Sequence, residues 1–133
     1  MHDDVLLRLA GRWPGVTADV KWDVDRVLSV AGKMFCALAL EGPKKGQLSF
    51  KVDPDRFLEY TDRPGIHPAA YLARAHWVSV APLSQPGEPE IAGWLAESYA
   101  LVASKLPAKV RRELGLAHAA GDIVRSLSGK QND

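Results

Sequence analysis

KMFCALAL (residues 33–40), EGPKKG (41–46) and QLSFKV (47–52) decide the fold. Both flanking pieces alternate with the period of two that puts successive side chains on opposite faces of a sheet. In the first piece Met34, Cys36, Leu38 and Leu40 share one face, and Phe35, Ala37 and Ala39 share the other. In the second, Leu48, Phe50 and Val52 line one face, with Ser49 and Lys51 opposite. The loop between them holds Gly42, Pro43 and Gly46. A link this short joins antiparallel strands and is too short for a parallel crossover.

Upstream, Val20, Trp22 and Val24 alternate with charged residues, which predicts a half-buried strand. Val27, Leu28 and Val30 predict a second strand or a continuation of the first after a bulge, and Ala31-Gly32 a tight turn. Val5, Leu6, Leu9 and Trp13 repeat at helical spacing, with Asp3 or Asp4 placed to cap the helix and Pro14-Gly15 to end it. Downstream, Asp53-Pro54 opens a short helix: Asp caps, and Pro suits the first helical position. Residues 63–68 hold two prolines and a glycine, which predicts an irregular loop. A helical turn over 69–74 and a last strand over 76–82 follow. A long helix is predicted from Pro89 to Leu106, with Ile91, Leu95, Tyr99, Val102 and Leu106 as its apolar stripe. Pro107 starts a short helix ending near Gly115. Leu116, Ile123, Val124 and Leu127 suggest another over 116–128, and the polar residues 128–133 are expected to fray. These elements make a two-layer α+β fold, an antiparallel sheet with helices packed mainly on one face.

The length of 133 residues fits one domain with a real core. The hydrophobic share is 47% and the charged share 25%, as in ordinary globular chains. The single cysteine, Cys36, precludes an intramolecular disulfide. No apolar run reaches the roughly 20 residues needed to span a bilayer, and the start, Met1-His2-Asp3-Asp4, is acidic rather than signal-like. A cytoplasmic location is the expectation. Seventeen basic against sixteen acidic residues give a net charge of +1. That near balance argues against tight nonspecific nucleic-acid binding but leaves room for a local basic patch.

No catalytic centre, metal site or cofactor site emerges. His2, His67, His76 and His118 lack metal-site spacing, and one cysteine cannot make a zinc knuckle. His67 fits an ordering hydrogen bond in its loop better than a base without a partner. Cys36 falls on the aliphatic face and reads as inert. Asp23 and Asp25 would share a strand face that could bind a cation or do acid–base work, though a solvated face is the better reading. Phosphate-binding and nucleophile-elbow motifs are missing. Two basic groups stand out: Lys44 with Lys45 at a hairpin tip, and Lys105, Lys109, Arg111 and Arg112 around the junction of the C-terminal helices. Either could meet phosphates, or serve solubility and helix ends. The second sheet face, with Phe35, Ala37, Ala39, Ser49, Lys51, Trp77 and Ser79, reads as partly open. It would suit a ring, a base or a partner segment, or be covered by a helix or a second subunit.

The ordered set of stretches resembles the MmcQ/YjbR family over about residues 5–114. The stretches are Pro14-Gly15-Val16-Thr17 with Asp19-Val20-Lys21-Trp22, Gly32-Lys33-Met34-Phe35 and Phe50-Lys51-Val52-Asp53-Pro54. Pro64-Gly65-Ile66-His67-Pro68-Ala69, Tyr71-Leu72-Ala73-Arg74, Trp77-Val78, Ser98-Tyr99 and Lys105-Leu106-Pro107 complete it. The resemblance implies a compact two-layer α+β domain, similar in arrangement to secretion chaperones, and a double-wing DNA-binding role. Ala70 departs from the family's usual proline, and residues 115–133 form an extension without a counterpart. Carried over, the wing would use Lys44 and Lys45, while Lys33, Lys51, Arg74 and Trp77 fall at matched positions. DNA is then the expected partner. A protein or small ligand on the open sheet face is the alternative, and an enzyme working through His67 comes last.

Overall fold

The structure, a computed structural model, describes residues 1–131. Six antiparallel strands form one open sheet in the order β1-β2-β3-β4-β6-β5. They are β1 (Val16–Lys21), β2 (Asp25–Val30), β3 (Lys33–Ala39), β4 (Leu48–Lys51), β5 (Ile66–Pro68) and β6 (Trp77–Val80). Among the described residues five α-helices accompany them: α1 (Asp3–Ala10), α2 (Phe57–Thr61), α3 (Glu88–Ala103), α4 (Ala108–Glu113) and α5 (Ala120–Gln131). The predicted α+β class is the one observed.

The core lies between one sheet face and the helices. Leu28, Cys36, Leu38, Leu48, Phe50, Val78 and Val80 meet Ile91, Trp94, Leu95 and Tyr99 of α3 there. Leu6 of α1 and Ile123 and Leu127 of α5 close the same layer. Asp53 accepts the Asp55 N–H at 2.9 Å and caps the turn that leads into α2, as its pairing with Pro54 predicts. Asp3 and Asp4 cap nothing, since His2 stands at that position. Asp3 instead grips Arg26 of β2 through two bonds of 2.8 and 2.9 Å, tying α1 to the sheet. α5 starts later than the apolar spacing suggests and runs to Gln131. The last two positions of the expected frayed end lie outside the described residues.

The alternation in β3 is broken by a bulge. Leu28 pairs with Cys36 but Ser29 pairs with Met34, so Phe35 is an extra residue. It turns into the core, where its ring meets Tyr99 edge-on at 5.4 Å, and Met34 takes its place on the other face. Phe35 is therefore removed from the open surface that strict alternation assigns to it. One further ladder step would set Phe35 opposite Lys51. The Ser98 hydroxyl occupies that gap, accepting from the Lys51 N–H at 3.0 Å and donating to the Phe35 carbonyl at 2.6 Å. Next to it, the Tyr99 hydroxyl donates to the Pro14 carbonyl at 2.6 Å, and burial pushes its pKa up to about 12. Tyr99→Phe, which loses one hydrogen bond and keeps the ring, is expected to cost about 1 kcal/mol in a denaturant titration.

Two further expectations fail locally. Residues 66–68 pair with β6 despite Pro68, because β5 is the sheet edge and its outer side needs no N–H donor. Val20, Trp22 and Val24 do not make a half-buried strand. β1 ends at Lys21, Trp22 and Asp23 turn the chain at φ 54° and 63°, and all three apolar side chains are exposed.

Candidate functional site: a cleft on the helix-free face

Directly opposite residues in an antiparallel ladder point to the same side, so the second face can be read from the register. One row crosses the whole sheet: Asp19, Val27, Ala37, Ser49, Ser79 and His67. Its middle is small. Ala37, Ala39, Ser49 and Ser79 floor a cleft of about 550 Å³, a volume typical of small-ligand sites. The two serine hydroxyls bond each other at 2.7 Å across β4 and β6. One hydroxyl hydrogen satisfies that bond, so the other is free to donate to a ligand.

Two walls rise from this floor. One is Trp22 at the β1–β2 turn, 66% exposed. The other is the segment Ala69–Leu72, which leaves β5 and folds back over the sheet, with Tyr71 fully exposed. Trp22 and Tyr71 both sit at positive φ, 54° and 64°, a conformation costly for bulky side chains. Two large aromatics held in that region stand at the rim of one cleft. Met34, Gln47 and Asp25 complete the lining.

Asp25 lies opposite Lys21 in the β1–β2 register, yet no ion pair engages it among the described residues. Burial pushes its carboxyl above the usual aspartate value. In that range of pH the native state holds more proton than the unfolded chain, so its contribution to stability falls as pH rises through it. Asp25→Asn is therefore expected to raise the thermal midpoint at neutral pH. The gain should shrink as pH falls and vanish well below about 4, where both states bind the proton, in melts recorded across pH.

The residues singled out from sequence scatter. Trp77 lies on the predicted face but is only 4% exposed, so it cannot serve as a contact surface. The segment over it is fastened to its backbone: Ala69 N–H donates to the Trp77 carbonyl at 2.9 Å, and Trp77 N–H to the Leu72 carbonyl at 3.3 Å. Lys51 is half-buried, with Nζ donating to the Ala75 carbonyl at 2.5 Å. Its pKa is lowered by burial and by nearby Lys105. Lys33 begins β3 and Arg74 sits in the turn before β6, both exposed at that same end of the sheet. Lys44 and Lys45 are exposed in the β3–β4 loop, at the opposite end. One continuous basic band joining them to Lys51 and Arg74 is not formed. Lys109 and Arg112 are exposed on α4, whereas Arg111 is half-buried with Nη1 2.6 Å from His118 Nδ1. His67 is exposed on the edge strand. Asp23 and Asp25 part company: the first sits in the turn, the second in the cleft wall.

The sequence reading missed Trp22, Met34 and Tyr71 as site residues and set Asp25 aside as a solvated carboxylate. A signal was present for Tyr71, which follows two alanines in a loop where nothing requires a ring.

The model of the YjbR family matches residues 11–101, which takes in the sheet and most of α3. The chain belongs to the YjbR family. A crystal structure of a Deinococcus radiodurans protein with a DUF419 domain is similar, at 27% identity and a TM-score of 0.76, covering 87% of this chain and 89% of that one. A Pseudomonas syringae protein solved by structural genomics shares the fold at 22% identity and a TM-score of 0.62, covering 76% of this chain and 98% of that one. No match is found among curated proteins. Two of the stretches that carry the resemblance do structural work here. Ser98-Tyr99 fastens α3 to the sheet and to Pro14, and Trp77 is buried under a loop.

Proposed function

We propose that this YjbR protein is a binding module without a catalytic step, and that its working surface is the cleft on the helix-free face. The observation that carries the reading is the pairing of a small-residue floor with two exposed, conformationally strained aromatics at the rim. Such a cleft takes a compact apolar body and hydrogen-bonds it at the paired serines. The neutral dye N-phenyl-1-naphthylamine tests this. It should bind with one-to-one stoichiometry and brighten. Ala37→Leu, which fills the floor from the solvent side, should weaken it about tenfold or more with an unchanged thermal midpoint. Undiminished dye binding in a folded Ala37→Leu protein rules the cleft out.

DNA binding is the second reading, favoured by a separate observation. Lys33, Lys51, Arg74 and Lys105 occupy one end of the sheet, next to α4 with Lys109 and Arg112, and no ion pair engages any of them among the described residues. Cations grouped this way without acidic partners suit phosphates. Duplex affinity should then fall steeply with salt. Combined replacement of Lys33, Arg74 and Lys105 by alanine should flatten that slope, while replacement of Lys44 and Lys45 at the far end should not. Affinity that is independent of salt would remove this reading.

A further inference from the structure

The lining of the cleft contains one carboxylate, Asp25; every other group is hydrocarbon, thioether, ring, hydroxyl or amide. No lysine or arginine lines it, so an anion entering would meet an uncompensated carboxylate in an apolar setting. The grouped basic residues lie elsewhere, at the end of the sheet that carries Lys33 and Lys51. Lys21 is opposite on β1, and Asp23 is two residues away in the turn, but no ion pair joins Asp25 to either neighbouring strand among the described residues. Aromatic faces attract cations through their quadrupole, with tryptophan the strongest. Trp22 and Tyr71 bring two such rings to the same opening.

We infer that the cleft selects an organic cation, an alkylated ammonium carried on an apolar body, with Asp25 as counter-ion and Trp22 and Tyr71 as its aromatic walls. The inference rests on the cleft being the binding site. Alkylation matters because the walls offer aromatic rings rather than a set of hydrogen-bond acceptors. An ammonium without N–H groups leaves no donor unsatisfied there, and its weak hydration lowers the cost of entry. Burial that raises the Asp25 carboxyl acts in the same sense, since an incoming positive charge relieves it.

The test uses the full chain and three probes of matched size: phenyltrimethylammonium, its neutral carbon isostere tert-butylbenzene, and benzoate. Each competes against the neutral dye. The cation should bind at least about tenfold tighter than the isostere, and benzoate weakest of all. Asp25→Asn should bring the cation down to the level of the isostere while the protein stays folded. Trp22→Ala and Tyr71→Ala should each weaken the cation more than the isostere. Equal affinity for cation and isostere, or a preference that survives in Asp25→Asn, overturns the assignment. Dye binding that persists while the cation fails to compete overturns the ligand class and leaves the cleft standing. Loss of dye binding as well refutes the cleft itself.

Discussion

Ser98→Ala lowers the unfolding free energy by about 2–4 kcal/mol, a large fraction of the stability of a domain this size. The side chain removed is small and its carbon remains, so little packing is lost. The cost lies in the two backbone groups left behind. Ser98 is fully buried, and its hydroxyl is the only bridge between the Phe35 carbonyl and the Lys51 N–H described here. The bulge prevents Phe35 and Lys51 from satisfying each other, and each unpartnered buried group costs about 1–3 kcal/mol. Ser104→Ala is the matching control. Its hydroxyl, at the residue that ends α3, donates back to the Leu101 carbonyl at 3.1 Å and bridges no other element among the described residues, so its loss should cost under about 0.5 kcal/mol. Denaturant titrations of both variants separate the cases. Faster hydrogen exchange at the Lys51 amide in Ser98→Ala would locate the damage. Equal stability of the two variants would mean that the bulge closes on itself without the serine.

The same bulge sets how much of the cleft was legible from sequence. Alternation reads β4 correctly, since Leu48, Phe50 and Val52 are all buried, because nothing interrupts that strand. In β3 it holds only after Phe35. Ala37 and Ala39 are correctly placed on the open face, while Phe35 and Met34 exchange sides. A bulge without glycine leaves no compositional trace, so period alone cannot find it. The β1–β2 turn was hidden for a related reason. Trp22 and Asp23 occupy a conformation that glycine and asparagine usually mark, and a tryptophan there reads as strand. Asp25 therefore looked like a solvated strand carboxylate. Trp77 was assigned to the right face, but its cover comes from a segment whose path is fixed by backbone bonds to Trp77 itself, which no side-chain pattern encodes. The helical layer was easier, because the stripe of Ile91, Leu95 and Tyr99 needs only the helical period.

Gly65→Ala should destabilise the protein by about 2–4 kcal/mol, and Ser84→Gly in the same chain should recover the larger part. Gly65 sits at φ +80°, where an alanine alone costs about 1 kcal/mol. An added Cβ would also lie 1.8 Å from Ser84 Oγ and 2.2 Å from its Cβ. A rotamer change moves the hydroxyl but not the Cβ, so backbone must shift. Ser84→Ala would retain that Cβ clash, which is why glycine is the informative second substitution. A double-mutant cycle should therefore give a coupling of about 1 kcal/mol or more between the two positions, leaving only the conformational cost of alanine. The effect reaches the site. The Gly65 carbonyl accepts the Ala81 N–H at 3.0 Å, which fixes the start of β5 against the end of β6. β5 in turn launches the segment that carries Tyr71 over the cleft. In Gly65→Ala the neutral dye should bind more weakly even at temperatures where the protein remains folded, and Ser84→Gly should restore binding along with stability. Restored stability without restored binding would show that the Tyr71 wall is held from its other end, through the bonds to Trp77.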